Sequence, residues 1–316
     1  MIMNSRKIVI IGTGMVGMSY AYTLLNQNAC DELILCDLDK TRAEGEAMDL
    51  NHGLAFSGSH MKISAGTYPD CKDADIAVIC AGVAQKPGEE RTALLQRNAE
   101  VFRSIIEPLM ESGFHGILLI ATNPVDIMAQ IAHKLSGLPA GRVLGSGTAL
   151  DTARLRYLVG GYFSVDPRNV HAYVLGEHGE TEFVAWSQAY LATKSLAEIC
   201  DTSHGKFQKE PLYAIENEVR NSAQKIIQAK KATYYGIGLS LLRITRALLG
   251  DENSILTVSA ALNGEYGESG VYAGVPCILN RQGIREVLVL PLNEKESAQM
   301  QHSCHTLREL SKNILI

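Results

Sequence analysis

The chain has 316 residues, of which 46% are hydrophobic and 20% charged, and its formal net charge is −5. This length predicts two domains that share an interface, and the acidic balance excludes the basic surface of a nucleic-acid-binding protein. We see no signal segment and no apolar run of about 18 residues, so we expect a cytoplasmic protein without a membrane partner. The seven scattered cysteines form no CxxC pair, which favours reduced thiols over a disulfide framework or a metal site.

Short apolar runs alternate with helical patterns through the first half of the chain. We predict strands at Lys7–Ile11, Leu33–Asp37, Met61–Ser64, Ile76–Ala81, Gly116–Ala121 and Val143–Gly145, and helices at Met15–Gln27, Lys40–His52, Thr92–Ser112 and Val125–Leu135. Runs that are apolar on both faces belong in a parallel sheet covered by helices. The predicted fold class is therefore α/β, with a doubly wound, parallel six-stranded sheet of the Rossmann type in the order 3-2-1-4-5-6.

The architecture changes near residue 146, where we place a domain boundary. Residues 1–146 are predicted to form a dinucleotide-binding domain, and residues 147–316 an α+β substrate and catalytic domain. The second half is predicted to contain a helix at Ala149–Val159, a strand at Asn169–Val174, helices from Phe183 to about Leu191 and from Pro211 to Leu249 with a kink near Gly236 and Gly238, a hairpin of Val275–Leu279 with Val287–Leu290, and a helix from about Asn293.

A G-x-G-x-x-G turn follows the first predicted strand and opens a helix, which is the arrangement that binds a pyrophosphate at a helix N-terminus. Asp37 ends the second strand, 20 residues after Gly17, where a carboxylate binds ribose hydroxyls and repels a 2′-phosphate. This pattern favours NAD over NADP; a methyltransferase-like or nucleotide-free sheet is the alternative. The cofactor-binding residues assigned here are Gly12, Gly14, Met15, Val16, Gly17 and Asp37.

Polar residues follow the carboxyl ends of strands four to six, where ligands of such sheets bind. Gly82 precedes a polar loop that can close and carry Arg91 inward, although an exposed loop is the simpler interpretation. Asn123 precedes a proline and suits either a turn or a pocket amide. Asp151 and Arg154 lie three apart on one helical face, as an intrahelical ion pair or as partners of a histidine and of a carboxylate.

A histidine with an ionisable ring stands at the end of a predicted strand, in the segment Leu175-Gly-Glu-His178-Gly179. Gly179 allows the chain to turn away after it. A histidine between two glycines also suits a structural or surface role. It becomes a candidate general acid and base because Arg91, Asp151 and Arg154 can be gathered around it.

Five segments occur in the order seen in the NAD-dependent L-lactate/malate dehydrogenases: Gly12–Gly17, Gln85–Arg91, Thr122–Asp126, Leu150–Arg154 and Gly176–Gly179. The chain resembles this family essentially from end to end, and within it the bacterial L-lactate dehydrogenases. Thr233–Ile237 extends the resemblance into the second domain.

The resemblance implies a role for each matching residue. His178 would donate a proton to the substrate carbonyl as hydride arrives, and Asp151 would orient the imidazole and raise its pKa. Arg154 would bind the substrate carboxylate in a bidentate manner, and Arg91 would polarise the carbonyl once the loop closes. Cofactor-binding roles follow for Gly82 and Asn123, and pocket-lining roles for Asn123 and Thr233.

Gln85 stands where this family reads the third carbon of the substrate. A neutral side chain there suits the methyl group of pyruvate, whereas malate dehydrogenases carry an arginine. Two departures from the family are Glu90, in place of Ser or Thr, and Leu155, in place of Phe. The expected reaction is the interconversion of pyruvate and L-lactate. A malate or branched-chain L-2-hydroxyacid dehydrogenase, an NAD-dependent glycosidase and a non-catalytic NAD-binding regulator are the alternatives, although the glycosidase needs a metal.

The resemblance also implies an assembly and an effector. Bacterial members are often tetramers that fructose 1,6-bisphosphate activates by binding an arginine and a histidine across a subunit interface. Arg156 and His171 match those two positions by spacing. We therefore expect a homo-oligomer, with a homotetramer favoured, and we treat bisphosphate activation as a hypothesis.

Overall fold

The computed structural model describes residues 6–83, 91–312 and 314, with the backbone alone at Arg91 and Thr92. Gln85, the residue assigned to substrate selection, and Glu90 lie outside these ranges. Within them, no helix is both long enough and apolar enough to cross a bilayer.

The first half of the chain builds six parallel strands and four helices. They are β1 (Lys7–Ile11), α1 (Met15–Asn26), β2 (Glu32–Cys36), α2 (Lys40–Gly53), β3 (Lys62–Ala65), β4 (Ile76–Ile79), α3 (Arg91–Glu111), β5 (Ile117–Ile120), α4 (Val125–Ser136) and β6 (Val143–Gly145). The strand order is 3-2-1-4-5-6, which confirms the predicted sheet. Every residue of β1, β4 and β5 is buried, since helices cover both faces of the sheet.

The second half adds five helices and eight strands to the described part of the chain. They are α5 (Ala149–Phe163), β7 (Val170–His171), β8 (Val174–Leu175), β9 (Phe183–Val184), β10 (Tyr190–Leu191), β11 (Lys194–Ser195), α6 (Leu196–Thr202), α7 (Lys209–Lys230), α8 (Tyr235–Leu249), β12 (Ser254–Asn263), β13 (Ser269–Asn280), β14 (Gly283–Val287) and α9 (Glu294–Ser311). Strands β12, β13 and β14 are antiparallel and extend the sheet to nine strands, because β12 pairs with β6 through Ser259 and Gly145.

Three predictions for the second half are wrong. The segment predicted as a helix from Phe183 to Leu191 forms β9 and β10, because its backbone bonds to neighbouring strands: β9 pairs with β8, and β10 with β7 and β11. The predicted strand Asn169–Val174 is divided between two small sheets. The predicted helix Pro211–Leu249 is two helices, since α7 ends at Lys230 and the next residue, Lys231, has a φ of 72°.

Two clusters of buried apolar residues form the core of the described chain. The larger cluster contains the buried side chains of the nine-stranded sheet. The smaller one packs Leu155, Val159 and Phe163 of α5 against β7, β8 and α7. Helix α5 also contacts β12 and α8. This packing fixes the position of the ionisable residues near its N-terminus.

Candidate active site

The glycine-rich turn has the shape that a dinucleotide pyrophosphate requires. Gly12 has a φ of +101°, a conformation that residues with a side chain rarely adopt. A Cβ added at Gly17 would lie 2.1 Å from the carbonyl oxygen of Gly12, so only glycine lets α1 approach β1 this closely. A Cβ added at Gly14 would meet no atom within 4 Å, which leaves open space in front of the helix. Met15 and Val16 form the first turn of α1.

Asp37 lies beside this turn at the end of β2. Its Oδ2 accepts hydrogen bonds from the backbone N–H of Thr13 at 2.7 Å and from the Thr13 hydroxyl at 2.8 Å. Burial raises the pKa of Asp37, but these bonds and one from the N–H of Asp39 outweigh burial and lower it. An ionised carboxylate is thus fixed next to the phosphate turn, as binding of ribose hydroxyls requires.

Polar residues follow the other strand ends at the same edge of the sheet. Gly82 comes after β4, and Asn123, which is exposed, comes after β5. Arg91 begins α3, while its side chain falls outside the described part of the structure. The predicted meeting of Arg91 with His178 therefore stays a prediction.

The carboxylate of Asp151 bridges His178 and Arg154. Its Oδ2 lies 2.6 Å from Nδ1 of His178, and its Oδ1 accepts a hydrogen bond of 2.7 Å from Nη1 of Arg154. Asp151 is 2% exposed, whereas the imidazole is 25% exposed. Asp151 and Arg154 thus form the intrahelical ion pair, and Asp151 also binds the histidine, while the binding of a carboxylate by Arg154 stays a prediction. With Nδ1 engaged, Nε2 is the ring atom left to exchange a proton.

Asp126 connects the histidine loop to the edge of the sheet. Its Oδ2 accepts a hydrogen bond of 2.8 Å from the backbone N–H of His178, and its Oδ1 accepts one from the hydroxyl of Ser259. Asp126 lies in the first turn of α4, three residues after Asn123, so it places His178 at the carboxyl end of β5. Burial raises the pKa of Asp126 to about 6 in spite of both hydrogen bonds.

Contacts from three further elements fix the chain that leads into His178. The hydroxyl of Thr148 donates to the carbonyl of Val174 at 2.6 Å, which ties β8 to α5. Gly176 exchanges two backbone hydrogen bonds with Gly274 of β13. The hydroxyl of Ser303 in α9 accepts a bond of 2.6 Å from the N–H of the residue before His178. The imidazole is therefore presented by a rigid support.

The surrounding carboxylates favour the protonated imidazole. Burial lowers the pKa of His178, but Asp151, Asp126 and Glu182 outweigh burial and raise it to about 9. For Asp151 the balance is reversed: burial raises its pKa, while His178 and Arg154 hold it below its usual value. Near neutral pH the two residues form an imidazolium–carboxylate pair, so His178 holds a proton that it can donate.

Comparison with known proteins agrees with this geometry. Residues 6–145 match the family described as the NAD binding domain of lactate/malate dehydrogenase, and residues 148–315 match its alpha/beta C-terminal domain. The chain belongs to the lactate/malate dehydrogenase family. It is 52% identical over 309 residues to L-lactate dehydrogenase 2 of Bacillus cereus, covering 98% of each chain. It is 53% identical to the L-lactate dehydrogenase of Priestia megaterium, covering 97% and 96%.

Solved structures of the family have the same fold. A lactate dehydrogenase from a Medee basin deep-sea metagenome library superposes with a TM-score of 0.96 at 53% identity, covering 98% of this chain and 99% of that one. The ligand-bound minor L-lactate dehydrogenase of Enterococcus mundtii gives a TM-score of 0.96 at 44% identity, covering 99% of each chain.

The remaining predicted residues of this family member lie in the second half. Thr233 is half-buried in the link between α7 and α8. Arg156 of α5 donates from Nε to the carbonyl of Ala172 at 3.3 Å, and its guanidinium lies 5.3 Å from the ring centre of Tyr173. His171 is exposed on β7, directly before Ala172. Arg156 is thus held against the segment that carries His171.

Sequence reasoning assigned no role to Asp126 or Glu182. The sequence offered a clue for Asp126, because burying a carboxylate among the apolar residues at the start of a helix costs free energy unless the carboxylate accepts hydrogen bonds. Glu182 had none, because it was placed just before a predicted helix. One carboxyl oxygen of Glu182, one of Asp151 and a ring nitrogen of His178 lie within 4.8 Å of one another. This spacing also suits a metal ion, so the expected absence of a metal site stays a prediction.

Proposed function

We propose that this protein is an NAD-dependent L-lactate dehydrogenase that interconverts pyruvate and L-lactate. The observation that carries the proposal is the double contact of Asp151, with His178 on one oxygen and Arg154 on the other. This contact supports a proton donor and a binding group for the substrate carboxylate that lie side by side near the carboxyl ends of the parallel strands. Relatives that are about half identical over nearly their whole length and bear the name L-lactate dehydrogenase support the same reaction.

The chemistry follows from the charge state of the site. Nε2 of His178 donates a proton to the carbonyl oxygen of a 2-oxoacid and takes it back in the reverse direction. Asp151 keeps the imidazole in one tautomer and stabilises the cation before the proton leaves. Arg154 uses the donors not bound to Asp151 to hold the substrate carboxylate. The hydride chemistry belongs to the nicotinamide when it is bound.

The other site residues complete the proposal. Arg91 polarises the substrate carbonyl, and Asn123 and Thr233 line the pocket, with Asn123 also contacting the cofactor together with Gly82. The glycine turn and Asp37 bind NAD, because the open space at Gly14 and the fixed carboxylate suit a dinucleotide without a 2′-phosphate. We place the boundary between the cofactor domain and the substrate domain at residue 146, just after β6.

A substrate panel tests this proposal. The loss of NADH absorbance is followed with pyruvate, oxaloacetate and ketoisocaproate, and we expect the highest kcat/KM with pyruvate. Preference for oxaloacetate or ketoisocaproate supports the malate or branched-chain alternative, and NADH binding without turnover of any 2-oxoacid supports a non-catalytic regulator.

Gln85→Arg should shift substrate preference toward oxaloacetate, since the arginine adds a partner for a second carboxylate. Unchanged preference contradicts the role of Gln85.

We also propose a homotetramer with a bisphosphate site. Helices α1 and α8 pack together and carry exposed apolar side chains, including Tyr22, Tyr235 and Leu239, which suit contact with a second copy. Arg156 of α5 is held against the residue that follows His171 of β7, and this contact supports an anion site that uses both side chains. Sedimentation gives the subunit count, and a monomer contradicts the assembly. Pyruvate saturation curves with and without fructose 1,6-bisphosphate test the effector, and identical curves contradict it.

A further inference from the structure

Glu182 is a nearly buried carboxyl beside the proposed proton donor. The residue is 5% exposed. A carboxyl oxygen of Glu182, a carboxyl oxygen of Asp151 and a ring nitrogen of His178 all lie within 4.8 Å of one another. Its backbone N–H donates to the carbonyl of Gly179, which closes the turn after His178. The carboxyl therefore lies close to the imidazole, in the turn that follows His178.

The two arginines near Glu182 donate to acceptors other than its carboxyl, and Nε of Arg220 has no hydrogen-bond partner among the described residues. Arg154 on α5 donates to Asp151. Arg220 on α7 binds the backbone carbonyl of Glu182 at 2.7 Å and the carboxylate of Glu216 at 3.2 Å. Among the described residues, no hydrogen bond reaches the carboxyl of Glu182 itself.

Burial and the charge of Asp151 oppose the ionisation of this carboxyl. Asp151 on α5 and Asp126 on α4 are acidic, and both lie against His178. Burial and the charge of Asp151 raise the pKa of Glu182 to about 8, against the opposing charges of His178, Arg220 and Arg154. Near neutral pH the side chain is a neutral acid.

A neutral acid at this place has a consequence for an anionic substrate. The proposed receptor of the substrate carboxylate, Arg154, already shares its charge with Asp151. A second ionised carboxylate in the same partly closed site would repel the substrate, and burial would strengthen the repulsion. We propose that Glu182 is a positioning residue that must keep its proton for a carboxylate substrate to bind productively beside His178. This inference rests on the proposed 2-oxoacid reduction.

The proposal fixes the number of protons that the productive complex needs. With one proton on His178 and one on Glu182, kcat/KM for pyruvate falls by about 100-fold per pH unit once both groups have lost their protons. With His178 alone, the fall is about 10-fold per unit. The steepness with which kcat/KM falls at alkaline pH, the alkaline limb of the profile, thus separates the two cases. This steepness is independent of the absolute rate.

The test compares wild type with Glu182→Gln, which copies the shape and neutrality of the protonated acid. We expect a kcat/KM within about 3-fold of wild type near neutral pH and an alkaline limb no steeper than 10-fold per unit. Glu182→Asp should keep the steep limb. Glu180→Gln is the matched control, because Glu180 is exposed on the same turn, and it should leave the profile unchanged. A steep limb retained by Glu182→Gln overturns the proposal, as does loss of most activity near neutral pH in the folded variant.

A second measurement does not depend on turnover. Carbon NMR of wild type labelled in glutamate carboxyls, with the Glu182 signal assigned from its loss in Glu182→Gln or Glu182→Asp, follows the ionisation directly. We expect a titration well above the usual glutamate range, and a titration near about 4.3 overturns the inference. If the wild type reduces no 2-oxoacid, the proposed function fails in the assay, while this titration still decides whether Glu182 holds a proton.

Discussion

Asp151→Asn keeps the shape of the residue that bridges His178 and Arg154 and removes its charge. In the wild type the pKa of His178 is raised from 6.5 to about 9, a preference for the cation on the order of 3 kcal/mol. Without the carboxylate, burial is less opposed, and we expect the pKa to fall to about 6.5 or below. At about pH 7.5 the protonated fraction drops from about 0.97 to about 0.1, so kcat/KM for pyruvate should fall by at least ~10-fold.

The loss of Asp151 should change the pH profile of kcat/KM on its alkaline side. A raised histidine pKa preserves the proton as pH increases, so removal of Asp151 should move the alkaline limb of the kcat/KM profile toward acid by more than about one unit. The pKa of Glu182 should fall in the same direction, since Asp151 raises it. Asp166→Asn is the control, because Asp166 pairs with Arg168 on the surface. An unmoved alkaline limb in Asp151→Asn refutes the reasoning.

Three further predictions follow from single contacts. Arg154→Lys should raise the KM for pyruvate by about 10- to 100-fold in steady-state assays, because a point charge replaces a fork, and an unchanged KM contradicts this role. Asp126→Ala removes the acceptor of the His178 N–H and of the Ser259 hydroxyl; we expect a loss of about 1–3 kcal/mol in denaturant unfolding and a lower kcat. Wild-type values for both would show that the anchor is dispensable. Asp37→Ala should weaken NADH binding by about 10-fold and reduce discrimination against NADPH in fluorescence titrations, whereas undiminished discrimination places the selection elsewhere.

The first half of the fold could be predicted from sequence because its strands are buried on both faces. Ile117–Ile120 is uniformly apolar and Lys7–Ile11 is apolar after its first residue, so strand identity followed from local pattern and strand order from the doubly wound fold. The glycine turn was equally local, since close approach of α1 to β1 leaves room only for glycine.

The second half was predicted less well. Strands β9 and β10 were taken for a helix because each is only two residues long, which is too short to show an alternating pattern. Strand β12 went unpredicted although its partner β13 follows it in the chain. Asp126 and Glu182 escaped assignment because their roles depend on the folded chain: Asp126 binds the N–H of His178, 52 residues further on, and Glu182 is buried. Burial and neighbouring charge, which set the ionisation of both, are properties of the folded chain.

Exchange of a proton at His178 is tested most directly by pyruvate reduction in His178→Ala, with NADH affinity measured on the same sample. We predict a kcat lower by about 10²–10⁴-fold with NADH binding unchanged, because proton transfer is lost while the cofactor turn is intact. Turnover close to that of the wild type would contradict the central claim that this imidazole performs the acid–base step.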